Sequence, residues 1–200
     1  MLSPVHPVAR LRMRCEALSL IELLITLFVA VVIVVLGVPS MAHWMRTLAV
    51  RNGANALVSA LQAARSEALA RNQEVRVTFG DAQGHAVWVL GCVTVTASCP
   101  RRLRGVDASS EHDARWGATL AKNAPALSAP VQAGSQLPAQ VTFNAVGAAP
   151  AIGNGSEVSR IDIVDANDAT VPRLVVLLSA SGMVRWCDPL VTAGQPLSCI

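Results

Sequence analysis

The sequence predicts an α+β protein in which a long N-terminal helix, membrane-spanning in its first half, packs on a C-terminal antiparallel β-sandwich. Residues 18–38 form an apolar run of 21 residues with one ionisable side chain. Apolar residues then recur at helical spacing to about residue 71. Beyond residue 73 the period changes to strand-like alternation. These three observations define a helix that begins in an apolar environment and ends on a β-rich domain.

The composition excludes several classes of protein. Hydrophobic residues make up 52% of the 200 residues and charged residues only 14%, which excludes a disordered chain. Residues 1–17 contain three arginines and one glutamate, and beyond them 13 basic residues face 12 acidic ones. This balance disfavours a protein coated by a polyanion. The sequence contains no glycine-rich phosphate loop, H-E-x-x-H or G-x-S-x-G motif, so we predict neither an enzyme nor a cofactor.

The apolar run of residues 18–38 has the length of a membrane-spanning helix, which needs about 20 residues. Arg10, Arg12 and Arg14 precede it and predict a cytoplasmic N-terminus and an exported C-terminal domain. The alternative is a cleaved secretory signal peptide, for which Ser40 and Ala42 offer a poor peptidase site. The run is longer than the 7–15 apolar residues typical of such peptides, which favours the membrane helix.

Glu22 lies four residues into the apolar run, where an unpaired carboxylate costs about 2–3 kcal/mol near the membrane centre. Its surroundings, CEALSLIELL at residues 15–24, resemble the class III signal of type IV prepilins. The usual form of that signal is a glycine, the cleavage point, and then Phe-Thr-Leu-Ile-Glu-Leu before an apolar helix. In this chain Ala17 replaces the glycine and Leu18 replaces the phenylalanine.

The resemblance implies a processing and assembly pathway. Prepilin peptidase would remove the leader, residues 1–17, by cutting between Ala17 and Leu18, and would then N-methylate Leu18. The carboxylate of Glu22 would pair with the charged N-terminus of a neighbouring subunit in a fibre, since an unpaired charge is costly in a low-dielectric bundle. The implied partners are other pilins or pseudopilins, the peptidase and an inner-membrane assembly platform.

Residues 39–72 are predicted to continue the helix outside the membrane. Pro39, preceded by Gly37, is expected to kink it. An apolar stripe faces the domain, and we expect Arg65 and Glu67 on the opposite side to be solvated; the stripe comprises Ala54, Leu57, Val58, Leu61, Ala64 and Ala68. The segment LVSALQAARSEALARNQ at residues 57–73 is similar to one typical of the GspH/FimT branch of minor pilins and pseudopilins.

Residues 73–200 are predicted to form the β-rich domain, in agreement with the type IV pilin-like fold that the resemblance implies. Alternation predicts a hairpin from residues 75–79 and 86–90 around a turn at residues 81–84. Further strands are predicted at residues 140–146, 159–164, 173–179 and 184–187, with a turn at Ser181 and Gly182. Residues 123–138 are rich in alanine, proline and serine and are predicted to form a loop.

The five cysteines become four when Cys15 departs with the leader, which suits an oxidising compartment. Four cysteines allow three pairings. We favour Cys92 with Cys99, closing a short loop, and Cys187 with Cys199, tying the C-terminal tail to the last strand. Zinc is the alternative, with His85 and His112 nearby in sequence, but the cysteine spacing does not fit a structural zinc site, and we predict no metal.

Nucleic acid is a further partner to consider. Some FimT-like minor pilins bind DNA through a C-terminal Gly-Arg-x-Arg strand, and the corresponding segment here is Gly182-Met183-Val184-Arg185-Trp186. Only the second arginine is present. Arg185 and Trp186 could contact a phosphate and a base, and a second basic cluster comprises Arg101, Arg102 and Arg104. The interpretation we favour is that Trp186 packs in the core and the arginines are solvated.

The sequence is therefore interpreted as a minor pilin or pseudopilin. We expect it to cross the bacterial inner membrane once, with its C-terminal domain in the periplasm, and then to enter a fibre. That fibre is either a type IV pilus, which the cysteines and the Arg185-Trp186 strand favour, with a role in adhesion or DNA uptake, or the pseudopilus of type II secretion. The alternative from another class is a membrane-anchored periplasmic binding module that never polymerises.

Overall fold

The structure is a computed structural model that describes residues 19–106, 114–120 and 123–199, with the backbone alone for residues 37–39. The chain divides into two compact units, Met1–Met41 and Ala42–Ile200. The described residues form two helices, α1 (Leu20–Arg71) and the short α2 (Pro150–Gly153). Within the same residues, eight strands follow α1: β1 (Val75–Phe79), β2 (Trp88–Cys92), β3 (Arg104–Val106), β4 (Ala114–Leu120), β5 (Ala139–Phe143), β6 (Val158–Asp165), β7 (Leu174–Leu178) and β8 (Val184–Cys187).

Within the second unit, α1 buries one face against the β-strands. The spacing of three and four residues brings the small and aliphatic side chains of this helix onto one stripe. Almost no part of these side chains is exposed: Val50, Ala54, Leu57, Leu61, Ala64 and Ala68. Val58 is partly buried and packs against the same core. The apolar stripe predicted from the sequence is confirmed.

The strands form two four-stranded antiparallel sheets. The first has the order β3-β2-β1-β5 and the second the order β4-β6-β7-β8. A hairpin joins β1 to β2, with Val77 opposite Leu90. Another joins β7 to β8, with Leu178 opposite Val184, through the predicted turn at Ser181 and Gly182. The sandwich and its six predicted strands are confirmed within about three residues at their ends, while β3, β4 and α2 were not predicted.

One hydrophobic core joins α1 to the inner faces of both sheets. This core contains an aromatic contact between Phe79 of β1 and Trp116 of β4, whose ring centroids lie 6.3 Å apart at an interplanar angle of 70°. This edge-to-face arrangement is one that aromatic pairs prefer. The core therefore holds the two sheets and the helix together as one folded unit.

The outer face of the second sheet is covered by chain without regular strand structure. Gly117 of β4 lies so close to residues 131–132 that an added Cβ would sit 2.1 Å from the Gln132 carbonyl oxygen. A small satellite cluster at the C-terminal end of the sheet contains Val175, Cys187 and Cys199, with Leu127 of the loop packed against it. The loop predicted at residues 123–138 contains no strand and lies over this sheet.

Candidate functional site: the apolar helix and the surface of the folded unit

The first unit presents an apolar helix that nothing within the described chain covers. Its large side chains between Leu20 and Leu36 are exposed. Among the described residues, α1 is the one helix long and apolar enough to cross a membrane. An exposed apolar surface of this extent requires lipid or other protein around it.

Glu22 lies in the first turn of this helix. The hydroxyl oxygen of Ser19 accepts a hydrogen bond from the backbone N–H of Glu22 at 3.2 Å, which caps the helix N-terminus. The Glu22 side chain is exposed and forms no hydrogen bond or ion pair with any other described residue. A carboxylate in the first turn interacts favourably with the helix dipole. The dipole is not an ionic partner, however, so such a partner has to come from outside the described residues.

Two further predictions concern the N-terminal segment, the cleavage point and the kink at Pro39. Ala17 and Leu18, the residues of the predicted cleavage point, lie outside the described residues. Helix α1 includes Gly37 and Pro39 within its bounds, and the kink expected at Pro39 stays a prediction.

The start of the helical segment in the second unit is fastened to the β6–β7 loop through Asp168. Arg46 donates to the Asp168 carboxylate at 3.1 Å, and Nδ1 of His43 lies 3.6 Å from the same oxygen. The pKa of Asp168 is lowered from 3.8 to about 2, mainly by hydrogen bonds from the hydroxyl and then the backbone N–H of Thr170. These bonds outweigh the effect of desolvation, which raises the pKa, and hydrogen bonds from Arg46 and His43 lower it further. The carboxylate therefore stays charged at any pH above about 3.

At the other end, α1 is joined to the β1–β2–β3 sheet by charged groups. Arg71 donates to Glu67 at 2.8 Å and to the carbonyl oxygen of Ser98, and Arg104 of β3 lies 3.8 Å from Glu67. The Glu67 side chain is 20% exposed, and Nε of Arg65 is buried with no hydrogen-bond partner among the described residues. The expectation that Arg65 and Glu67 are solvated is wrong, because the turns after β5 and β7 lie against Arg65, and Glu67 is partly buried and pairs with Arg71 and Arg104.

Both favoured disulfides are present in the structure. Cys92 is bonded to Cys99 with Cα atoms 5.7 Å apart, and Cys187 to Cys199 with Cα atoms 5.0 Å apart. The first closes the loop after β2 and the second holds the C-terminal tail against β8. Among the described residues no group of three His, Cys, Asp or Glu side chains could hold a metal ion. His85 instead pairs with Asp81, and His112 lies outside the described residues.

The hairpin turn between β1 and β2 is organised by Asp81. Desolvation alone would raise the pKa of Asp81, but the backbone N–H and side chain of His85 and the backbone N–H of Gln83 together lower it. Both backbone groups donate to the same carboxylate oxygen, at 2.8 and 3.0 Å. This is the arrangement by which aspartate stabilises a turn, so His85 has a structural role.

The residues considered for nucleic-acid binding lie on two different sheets. Arg185 is exposed on β8 and donates to the Cys199 carbonyl oxygen at 2.9 Å, while Trp186 packs against the core as the favoured interpretation expects. Arg104 lies on β3 beside Glu67, with Arg101 and Arg102 exposed just before it. The structure does not gather these five residues into one site, and DNA binding stays a prediction.

A buried ionic network that sequence reasoning missed holds the loop of residues 123–138 against β6. Asp162 is 0% exposed and Arg160 2%. Arg160 donates to Asp162 at 2.7 and 3.0 Å and to three loop carbonyl oxygens, those of Pro125, Ala126 and Ala129. Arg173 also donates to Asp162, as does the backbone N–H of Val131 at 2.9 Å. The network satisfies backbone groups that would otherwise be buried without partners.

Comparison with known proteins identifies the family. The family model described as type II transport protein GspH matches residues 53–182. The chain belongs to the GspH family. The match begins in the part of α1 that packs on the sheets and ends at Gly182 in the β7–β8 turn. It therefore includes the Cys92–Cys99 disulfide and the ionic network, and excludes Glu22, β8 and the Cys187–Cys199 disulfide.

Three solved structures are similar to this GspH-family chain. The type IV minor pilin FimU of Pseudomonas aeruginosa is 20% identical, with 76% of this chain and 95% of that chain covered and a TM-score of 0.47. The minor pseudopilin EpsH from the type 2 secretion system of Vibrio cholerae is 13% identical, with 70% and 98% covered and a TM-score of 0.46. GspH of E. coli is 16% identical, with 74% and 93% covered and a TM-score of 0.41. A comparison with curated protein sequences found no match.

Proposed function

We propose that this GspH-family chain is a minor pilin or pseudopilin subunit that functions in assembly of a type IV pilus or of a type II secretion pseudopilus. Prepilin peptidase cuts it between Ala17 and Leu18 and methylates the new N-terminus. Residues 18–38 hold the subunit in the inner membrane, with residues 73–200 in the periplasm, until it enters the fibre.

The observation that carries the proposal is the exposed apolar helix with a single carboxylate. Every large apolar side chain from Leu20 to Leu36 lacks cover, and Glu22 lacks an ionic partner among the described residues. A membrane would cover the apolar surface but would penalise the lone charge by about 2–3 kcal/mol. Packing beside a second subunit that presents a charged amine satisfies both requirements.

Processing is tested by mass spectrometry of the protein recovered from cell membranes. The expected mature chain begins with N-methylated Leu18. An intact leader on all of the recovered protein would contradict the proposal and favour the membrane-anchored binding module.

Assembly is tested by replacing the carboxylate without changing its shape. Glu22→Gln should reach the membrane and be cleaved normally but enter sheared fibres at least about tenfold less, because the charge pair is lost. Thr26→Val, one turn further along the same exposed helix, is the matched control and should assemble normally. Equal recovery of Glu22→Gln and the control in fibres would refute the pairing role.

The two machines are separated by deleting the gene. Loss of surface pili with normal protein secretion identifies the type IV pilus, and the reverse result identifies the secretion pseudopilus. If cells that normally produce both fibres show neither defect after the deletion, that result would contradict the assembly role.

A further inference from the structure

A groove of about 330 Å³ lies on the outer face of β1 and β2. We call it the arginine groove. Two arginines, a threonine and three valines line it together with Gly91: Arg76, Thr78, Val89, Val93, Val95 and Arg101. The described residues that line it include no carboxylate, although the chain as a whole has 16 basic and 13 acidic residues.

The two arginines meet because residue 91 is glycine. Arg76 of β1 is the cross-strand partner of Gly91 of β2. The chain before β3 passes directly over Gly91, so that an added Cβ would lie 1.6 Å from the Arg101 carbonyl oxygen. Hydrogen bonds from Cys92 N–H to the Pro100 carbonyl oxygen at 3.1 Å and from Leu103 N–H to that of Leu90 at 2.9 Å hold this crossing. Any larger residue at position 91 would push the Arg101 segment off the sheet.

Arg76 is fixed by contacts on the side of its guanidinium that carries Nε. Nε donates to the Thr142 hydroxyl oxygen at 3.1 Å, and that hydroxyl in turn donates to Glu157 at 2.7 Å. Glu157 is 5% exposed and also accepts from the backbone N–H of Thr142 at 2.8 Å. No described residue pairs with the Nη atoms of Arg76 or with the exposed guanidinium of Arg101. Arg76 is therefore held in place, Arg101 is exposed at the same groove, and both have hydrogen-bonding capacity left over among the described residues.

Guanidinium groups bind carboxylates through paired hydrogen bonds, which makes a carboxylate the natural ligand of this groove. Val93 and Val95, 37% and 53% exposed, form an apolar rim suited to the aliphatic parts of a peptide. A nucleic acid is disfavoured because the phosphates of a continuous strand would extend past the groove to the exposed Glu74, which lines the adjoining cavity beside Arg76, whereas a short acidic segment can end within the groove.

We propose that the arginine groove binds an acidic, extended peptide segment of a partner protein, with its carboxylates on Arg76 and Arg101. Identification of that partner as a neighbouring fibre subunit rests on the proposed function. The binding chemistry does not, since it depends only on residues of the folded unit.

The test uses the purified full-length chain in detergent micelles and two fluorescent hexapeptides, one alternating Asp and Val and the other alternating Asn and Val. Anisotropy at low salt should show binding of the Asp peptide and at least about tenfold weaker binding of the Asn peptide. Arg101→Gln, on an exposed segment, should weaken binding of the Asp peptide about tenfold. Arg102→Gln, the adjacent arginine that does not line the groove, is the matched control and should change binding less than about twofold.

Three results would overturn the proposal. They are equal binding of the Asp and Asn peptides, equal effects of Arg101→Gln and Arg102→Gln, and tighter binding of a single-stranded DNA 12-mer with the same dependence on Arg101. Arg76→Gln should reproduce the Arg101→Gln result, with circular dichroism showing that the variant is still folded. Because the assay requires no fibre, its outcome is independent of the Glu22 and processing experiments.

Discussion

Removing the charge of Asp162 should destabilise the folded unit by several kilocalories per mole. Asp162 is fully buried and accepts hydrogen bonds from Arg160, Arg173 and the backbone of Val131. Asp162→Asn keeps the shape of the side chain but leaves two arginines without their counter-charge, one of them 2% exposed. Removing one partner of a buried ion pair costs about 3–5 kcal/mol.

Urea unfolding of the Ala42–Ile200 unit with oxidised disulfides, followed by tryptophan fluorescence, measures this loss. With an m-value of about 2 kcal/mol per molar urea, the midpoint should fall by about 1.5–2.5 M. Glu74→Gln, which neutralises an exposed carboxylate, is the control and should leave the midpoint unchanged within error. Equal midpoints for Asp162→Asn and Glu74→Gln would show that the network does not stabilise the fold, and would refute the reasoning.

Two further predictions concern the tail and the Asp168 contact. Replacing Cys187 and Cys199 together by serine should lower the free energy of unfolding by about 2–4 kcal/mol, because the bond closes a loop with a sequence separation of 12, and an unchanged urea midpoint would contradict it. Since the folded-state pKa of Asp168 is lowered to about 2, the stability it contributes should be present above about pH 4 and lost as the pH falls towards 2. The difference in urea midpoint between the unmutated protein and Asp168→Asn should therefore shrink as the pH falls from about 4 towards 2; a difference that grows over that range would contradict the assignment.

Local patterns allowed most of the fold to be predicted from the sequence. The helix stripe follows from the spacing of Ala54, Leu57 and Leu61, and the β1 strand from the alternation of Val75, Val77 and Phe79, because each pattern depends on residues that are close in the chain. The two disulfides could be predicted from the sequence for the same reason, since each joins cysteines separated by at most 12 residues.

Elements whose surroundings are set by distant segments were missed. Strand β4 is buried along most of its length, since the chain near Gln132 closes over Gly117 on the face away from the core. Such a strand shows no alternation to recognise. Arg160 and Asp162 have the spacing of a solvent-exposed strand face, but the loop that covers them offers backbone carbonyls that the sequence does not distinguish. The one available signal was an Arg-x-Asp pair beside the buried apolar residues of the same strand, Ile161 and Ile163.

The same coverage decides which sheet of the second unit can meet a partner. The outer face of the second sheet is closed by the loop fixed on Arg160 and by the tail fixed through Cys187. The outer face of the first sheet keeps exposed side chains, among them Thr78 and Gln140, and has a short edge strand in β3. Closing one face with an ion network and a disulfide makes that face rigid and unavailable, so contacts made by the sheets are directed to the open face, where the arginine groove lies.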